Sequence, residues 1–430
     1  MHRRVDAWLH GNRDDKTNIA ALCAICCLFI FIFNTALYAA GKNKVEIVYD
    51  EYGCKLLVNG EPYFVKGLEY SADAVGKTPE VNEWMWADGN GNGKIDGPYE
   101  AWVDLDRNDF QDIDENPVGD FALLKAMGCN TIRIYHSENI NKELLRDLYN
   151  TYGIRVIMGN YLGAYTHGSG ADWNSGTDYT NELQRIKMKT SVRKMVREHK
   201  DEPYILMWML GNENDVFGNE VNSTKTNTNA YKVPEAYASF LNEICMMIKE
   251  MDPNHPVGVC NATTGLLKYY KEYAPEIDIL GFNQYSGPYG FGVLWSKVKS
   301  EFNRPVLITE YGCDSYNSNK KYEDEIYMAK YHAGAWRDIE HNSYWGKGHG
   351  NAVGGVVYCW LDKWWLIGSS KVHDTELGAW KGPKIDGWFH DEWLGICSQG
   401  DGKQSPFKRR LKEVYYTYQE VLWNRDITKE

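Results

Sequence analysis

Along most of the chain, short apolar runs alternate with longer segments whose apolar residues recur every third or fourth position. Eight runs have strand length: Phe64–Leu68, Thr131–Tyr135, Arg155–Gly159, Ile205–Gly211, Pro256–Cys260, Ile279–Asn283, Pro305–Thr309 and Gly355–Cys359. Most are apolar at nearly every position, the pattern of strands covered on both faces. Helical periodicity fills the gaps, over Asp120–Met127, Lys142–Tyr152, Asn181–His199, Pro234–Met251, Leu266–Tyr273, Val293–Phe302 and Asp324–Asn342, with Phe407–Leu422 after the last strand. Eight strand–helix units of this length predict an α/β fold, a (β/α)8 TIM barrel, over an open doubly wound sheet. No G-x-G-x-x-G follows the first strand, which weighs against a dinucleotide fold.

Residues 41–62 read as a short β-hairpin, with Asn59-Gly60 as its last turn, leading into a catalytic barrel over 63–430. Residues 1–40 read as an export segment. Arg3, Arg4, Arg13 and Lys16 precede an uncharged run from Ile19 to Phe33, and Ala36 to Ala40 offers small residues for cleavage. This is a signal peptide or an uncleaved membrane anchor, and either predicts a secreted or extracytoplasmic protein. Three connections are long: Tyr70 to Gly119, Val216 to Val233 and Trp360 to Ser405. All leave C-terminal strand ends, the face on which TIM barrels build their active sites.

Two strands end on a glutamate. Trp208-Met209-Leu210-Gly211-Asn212-Glu213-Asn214 closes the fourth and Val306-Leu307-Ile308-Thr309-Glu310-Tyr311-Gly312 the seventh. A carboxylate is costly to bury, so at the mouth of a buried strand it is either ion-paired or chemically engaged. Two such groups facing one sugar are the minimal machinery of glycoside hydrolysis. In a retaining enzyme they stand ~5–5.5 Å apart, one ionised and one protonated at rest.

Composition narrows the choice. A net charge of −12 disfavours a nucleic-acid partner. Aromatic residues make up 14%, including 16 Trp and 30 Tyr, consistent with rings that stack on sugars or with a large aromatic core. Six tryptophans fall between Trp360 and Trp393, of which Trp360 and Trp364 are the expected sugar contacts. His136 and Asn160, at the ends of strands two and three, could line the site or simply pack. Seven cysteines follow residue 40, none with metal-ligand spacing, and read as structural. Catalysis by two carboxylates needs no cofactor. Asp88, Asn90, Asn92 and Asp96 follow an EF-hand loop through position nine but lack its twelfth ligand, so this segment reads either as a structural Ca2+ loop or as a solvated acidic turn.

These motifs in this order resemble glycoside hydrolase family 2. They are Phe64-Val65-Lys66-Gly67, Met127-Gly128-Cys129-Asn130-Thr131-Ile132-Arg133 with Tyr135-His136, Leu210-Gly211-Asn212-Glu213-Asn214, Asn283-Gln284-Tyr285 and Thr309-Glu310-Tyr311-Gly312. The resemblance implies that Glu213 is the acid/base and Glu310 the nucleophile. It implies that Asn212 bonds the sugar 2-hydroxyl, that Arg133 and Tyr285 align the nucleophile, and that Trp360 floors the −1 subsite. Family 2 enzymes usually carry two β-domains ahead of the barrel, which 22 residues between the export segment and the barrel cannot supply. The first, fourth and seventh strand motifs are also similar to family 72 β-1,3-glucanosyltransferases. Three functions are therefore expected in turn: a retaining β-glycosidase, a β-glucan transglycosylase using the same glutamates, and a non-catalytic glycan-binding barrel.

Overall fold

The computed structural model describes residues 43–216, 226–376, 378 and 380–429; the expected export segment lies outside them. Eight parallel strands close into a barrel in sequence order: β1 (Val65–Glu69), β2 (Thr131–Ile134), β3 (Arg155–Asn160), β4 (Ile205–Leu210), β5 (Val257–Asn261), β6 (Ile279–Asn283), β7 (Val306–Tyr311) and β8 (Ala352–Val357). Each is followed by a helix: α1 (Asp120–Met127), α2 (Lys142–Tyr152), α3 (Glu182–His199), α4 (Pro234–Met251), α5 (Leu267–Tyr273), α6 (Leu294–Glu301), α7 (Glu325–His341) and α8 (Glu413–Thr417). Every residue of β2 through β8 is buried, which explains why those runs are apolar throughout. Among the described residues no helix is long and apolar enough to cross a membrane.

Local chemistry sets the helix ends. Asn141 and Asn181 cap α2 and α3 by accepting from Leu144 N and Gln184 N, contacts worth about 1 kcal/mol each. Gly128 and Gly153 end α1 and α2 in the left-handed region, which L side chains enter only under strain. The expected hairpin is a three-stranded antiparallel sheet of Val45–Asp50, Gly53–Val58 and Glu61–Tyr63. Its Val45, Leu56 and Val58 pack with Val65, Met207, Ile279 and Leu307, so it plugs the N-terminal end of the barrel. A larger apolar layer lies between strands and helices.

One strand differs from its predicted position. The run expected at Gly355–Cys359 pairs from Ala352 to Val357. Two glycines interrupt the apolar pattern there because neighbours pass too close for a side chain: a Cβ on Gly354 would sit 2.2 Å from Val65 O, and one on Gly355 2.7 Å from the Ile339 side chain. The shift puts Tyr358, not Trp360, at the mouth of the barrel.

The loops after β1 and β8 are tied together. Lys408–Leu411 pairs with Trp102–Val103 on one side and Cys397–Ser398 on the other. Beneath this sheet Arg409 donates to both oxygens of Asp120 at 2.7 and 2.8 Å, and the Tyr70 hydroxyl adds a third bond at 2.9 Å. Both charges are wholly buried. Removing one partner strands the other, so Asp120→Ala should cost about 3–5 kcal/mol in urea unfolding. A change below 1 kcal/mol would mean that the pair does not anchor these loops.

Candidate active site

A cavity of about 850 Å³ opens at the C-terminal face of the barrel, and Glu213 and Glu310 both line it. Strand geometry puts them there. Glu310 is the fifth residue of β7, and Asn283, its register partner on β6, donates to Glu213 Oε1 at 2.8 Å. One asparagine therefore links the strand of Glu310 to the Glu213 carboxylate. Glu213 lies just past β4 with φ +57°, after Gly211 at φ +72°. A non-glycine residue held in that region stores strain, a recurrent feature of functional sites.

The two carboxylates sit in different surroundings. Glu310 accepts from Tyr135 Oη at 2.7 Å and Arg133 Nη1 at 3.2 Å on one oxygen, and from Tyr285 Oη at 2.9 Å on the other. Glu213 has Asn283 as its side-chain donor, and burial, followed by the field of Glu310, pushes its pKa up to about 8. Neighbouring carboxyl groups whose environments differ in this way can divide acid and nucleophile roles between them.

Arg133, 1% exposed, anchors the floor. It also donates to Thr309 O at 2.8 Å and to Asn212 Oδ1 at 3.0 Å. Asn212 lines the cavity, and its Nδ2 donates to Tyr165 Oη. His136 lines it as well. It stacks on Tyr161 at 5.3 Å, and burial lowers its pKa to about 4, so the ring is neutral at pH 7.

Three expected contacts lie elsewhere. Asn160 is fully buried outside the cavity lining, where it accepts from Leu162 N and donates to Ser191 Oγ. Trp360 is fully buried against Tyr70 and Tyr415. Trp364 stacks on His373 at 4.7 Å. The aromatic lining comes instead from Tyr135, Tyr161, Tyr165, Tyr285, Tyr358, Trp365 and Trp380, with Glu69, Lys363 and Asp391 among the charged groups. Two of these had readable signals. Glu69 ends β1 as Glu310 approaches the end of β7, and Tyr135 stands two residues beyond Arg133, hence on the same side of its strand.

The acidic loop after β1 is ordered by its own carboxylates. Asp88 accepts from Gly91, Asn92 and Gly93 N–H groups and Asp96 from Gly89 N, which folds the segment back on itself. The carboxylates that gather within 4.8 Å in this loop are Asp104, Asp106 and Glu115. All seven cysteines after residue 40 are free and buried.

A TIM barrel with two carboxylates at the mouth of one aromatic-lined cavity has the arrangement that glycoside hydrolysis requires. The family model described as "Glycosyl hydrolases family 2, TIM barrel domain" matches residues 111–350, more than half of the chain, and the chain belongs to that family. Among curated proteins it is 29% identical over 225 residues to mannan endo-1,4-beta-mannosidase F of Aspergillus clavatus, covering 44% of this chain and 47% of that one. It is 23% identical over 289 residues to a beta-glucuronidase of Rattus norvegicus, covering 64% and 35%. The chain thus spans less than half of the length of either. Among solved structures, a Bacteroides uniformis beta-glucuronidase superposes with TM-score 0.54 at 17% identity, over 89% of this chain and 37% of that one. A GH2 beta-galacturonidase from Eisenbergiella tayi gives 0.52 at 16%, over 89% and 55%. These two are likenesses of fold.

Proposed function

We propose that the protein is a retaining β-glycosidase that works by double displacement, with Glu310 as nucleophile and Glu213 as acid/base. The observation that carries this reading is the pair of carboxylates lining one cavity in unlike environments, Glu310 among three donors and Glu213 with Asn283. In the first half-reaction the Glu213 proton passes to the glycosidic oxygen, the bond from C1 to that oxygen breaks, and a Glu310 oxygen bonds C1. In the second, Glu213 takes a proton from water, the water oxygen bonds C1, and the glycosyl–Glu310 ester is released. Arg133, Tyr135 and Tyr285 hold the attacking carboxylate in place, so little reorganisation is needed as charge moves. Asn212, between Arg133 and the cavity, is positioned to bond the sugar.

Proton NMR of a freshly mixed reaction with an aryl β-glycoside or β-glucan tests the reading. The β-anomer is expected first, with the α-anomer growing only by mutarotation. The α-anomer first would mean inversion and defeat it. Accumulation of oligosaccharides longer than the donor would assign β-glucan transfer by the same two glutamates. The composition of residues 1–40 supports an extracytoplasmic enzyme, released or membrane-held. Fractionation of the expressing cell checks this.

A further inference from the structure

The charges around the cavity do not balance. Its described lining carries six carboxyl groups, Glu69, Asp73, Glu80, Glu213, Glu310 and Asp391, against two permanent cations, Arg133 and Lys363; burial keeps Glu213 protonated near neutrality and pushes Asp391 up to about 7, and the remaining four still outnumber the cations. Both cations are already engaged. Arg133 is held by Glu310 at 3.2 Å, and Lys363 Nζ by Glu69 Oε1 at 2.9 Å. Lys363 and Glu69 are 7% and 5% exposed at their side chains, so neither can swing into solvent. The histidines in the lining add no charge near neutrality, because burial lowers the pKa of both His136 and His167.

Glu69 and Arg133 are register partners on β1 and β2, which puts the Glu69–Lys363 pair beside the guanidinium that holds Glu310. A sugar bound for attack by Glu310 lies against both. A uronic acid would bring one more carboxylate into this half-buried acidic wall, and burying it without a cation is strongly unfavourable. A sugar with only hydroxyl groups can donate to these carboxyl groups and finds its aromatic faces in Tyr161, Tyr358 and Trp365.

We infer that the glycone site takes an uncharged sugar, and that the Glu69–Lys363 ion pair closes it to uronic acids. This separates the chain from the glucuronidases and galacturonidase it resembles in fold. It rests on the double-displacement reading only for which sugar faces Glu310.

The test uses matched 4-nitrophenyl β-glycosides with the full chain: glucoside against glucuronide, and galactoside against galacturonide. For whichever pair is turned over, the uronide's kcat/KM should be at least tenfold below its neutral partner; a ratio closer to one, or reversed, overturns the inference. Glu69→Gln should then free Lys363 and raise the uronide-to-neutral ratio at least tenfold. That ratio is independent of how much of the preparation is folded, and an unchanged ratio removes the pair as the determinant. Should Glu69→Gln not fold, Glu69→Ser likewise leaves Lys363 without its carboxylate and must also raise the ratio. If no glycoside is hydrolysed, the glycosidase reading fails separately. The inference is then read by saturation-transfer NMR with methyl β-glucoside and glucuronic acid. Saturation transfer to the glucoside alone supports it; transfer to the acid, or to neither, overturns it.

Discussion

Glu310→Gln should lower kcat on an aryl β-glycoside by at least about 10³-fold, equivalent to about 4 kcal/mol of barrier at 1.36 kcal/mol per decade. The amide keeps the shape of the carboxylate but cannot form the glycosyl ester. Its NH2 group must also face donors, Arg133 and Tyr135 on one side or Tyr285 on the other, that are arranged for an anion. KM should move little, because the sugar contacts remain. Residual activity within tenfold of the parent, in protein with unchanged circular dichroism, would remove Glu310 from the chemistry and favour a barrel that only binds glycans.

Glu213→Ala should behave differently according to the leaving group. General acid assistance is worth ~10²–10⁴-fold, and that loss is expected for substrates whose leaving group needs a proton. Dinitrophenyl glycosides, which do not, should still form the glycosyl-enzyme and then stall. Azide should rescue the second step and yield the β-glycosyl azide; no rescue and no azide adduct would count against the acid/base role.

The pH dependence follows from the same residue. Glu213 must carry its proton for the first step and has a pKa of about 8, so kcat/KM should fall as pH rises through about 8, and the limb should vanish in Glu213→Gln. Stability has a matching sign. Below the ordinary carboxyl value of 4.5 both folded and unfolded states hold the proton. Between 4.5 and about 8 the unfolded chain releases it first, so stability declines as pH rises. Glu213→Gln should thus gain stability relative to the parent at pH 8 and none at pH 4, as read by thermal melts at the two values.

The barrel could be read from the chain because its physics is local. Strands buried on both faces must be apolar throughout, as in Ile205–Leu210, and the segments between them carry a helical stripe. Reading failed at β8, where Gly354 and Gly355 break the apolar pattern to let β1 and β7 approach, and a three-residue displacement changed which aromatic meets the cavity. Trp360 and Trp364 illustrate the same limit. Tryptophan in a long loop is equally suited to stacking on a sugar or pinning the loop, and composition carries no information about which way a ring faces. The acidic loop shows the same limit: the oxygens of Asp88 and Asp96 suit a cation or backbone N–H groups alike, and composition does not separate a Ca2+ loop from a solvated turn.

Alternation, strand length and strand-end chemistry, all encoded within a few residues of one another, were enough to determine an eight-stranded barrel with Glu213 and Glu310 at its mouth. Only the closed structure decided that Asn283, the register partner of Glu310, would donate to Glu213, that Tyr135 would join the donors to Glu310, and that Lys363 would reach Glu69, 294 residues away in the chain. Those contacts depend on the stagger of strands and the path of two long loops. Both are set by packing over the whole molecule, which no short stretch of sequence contains.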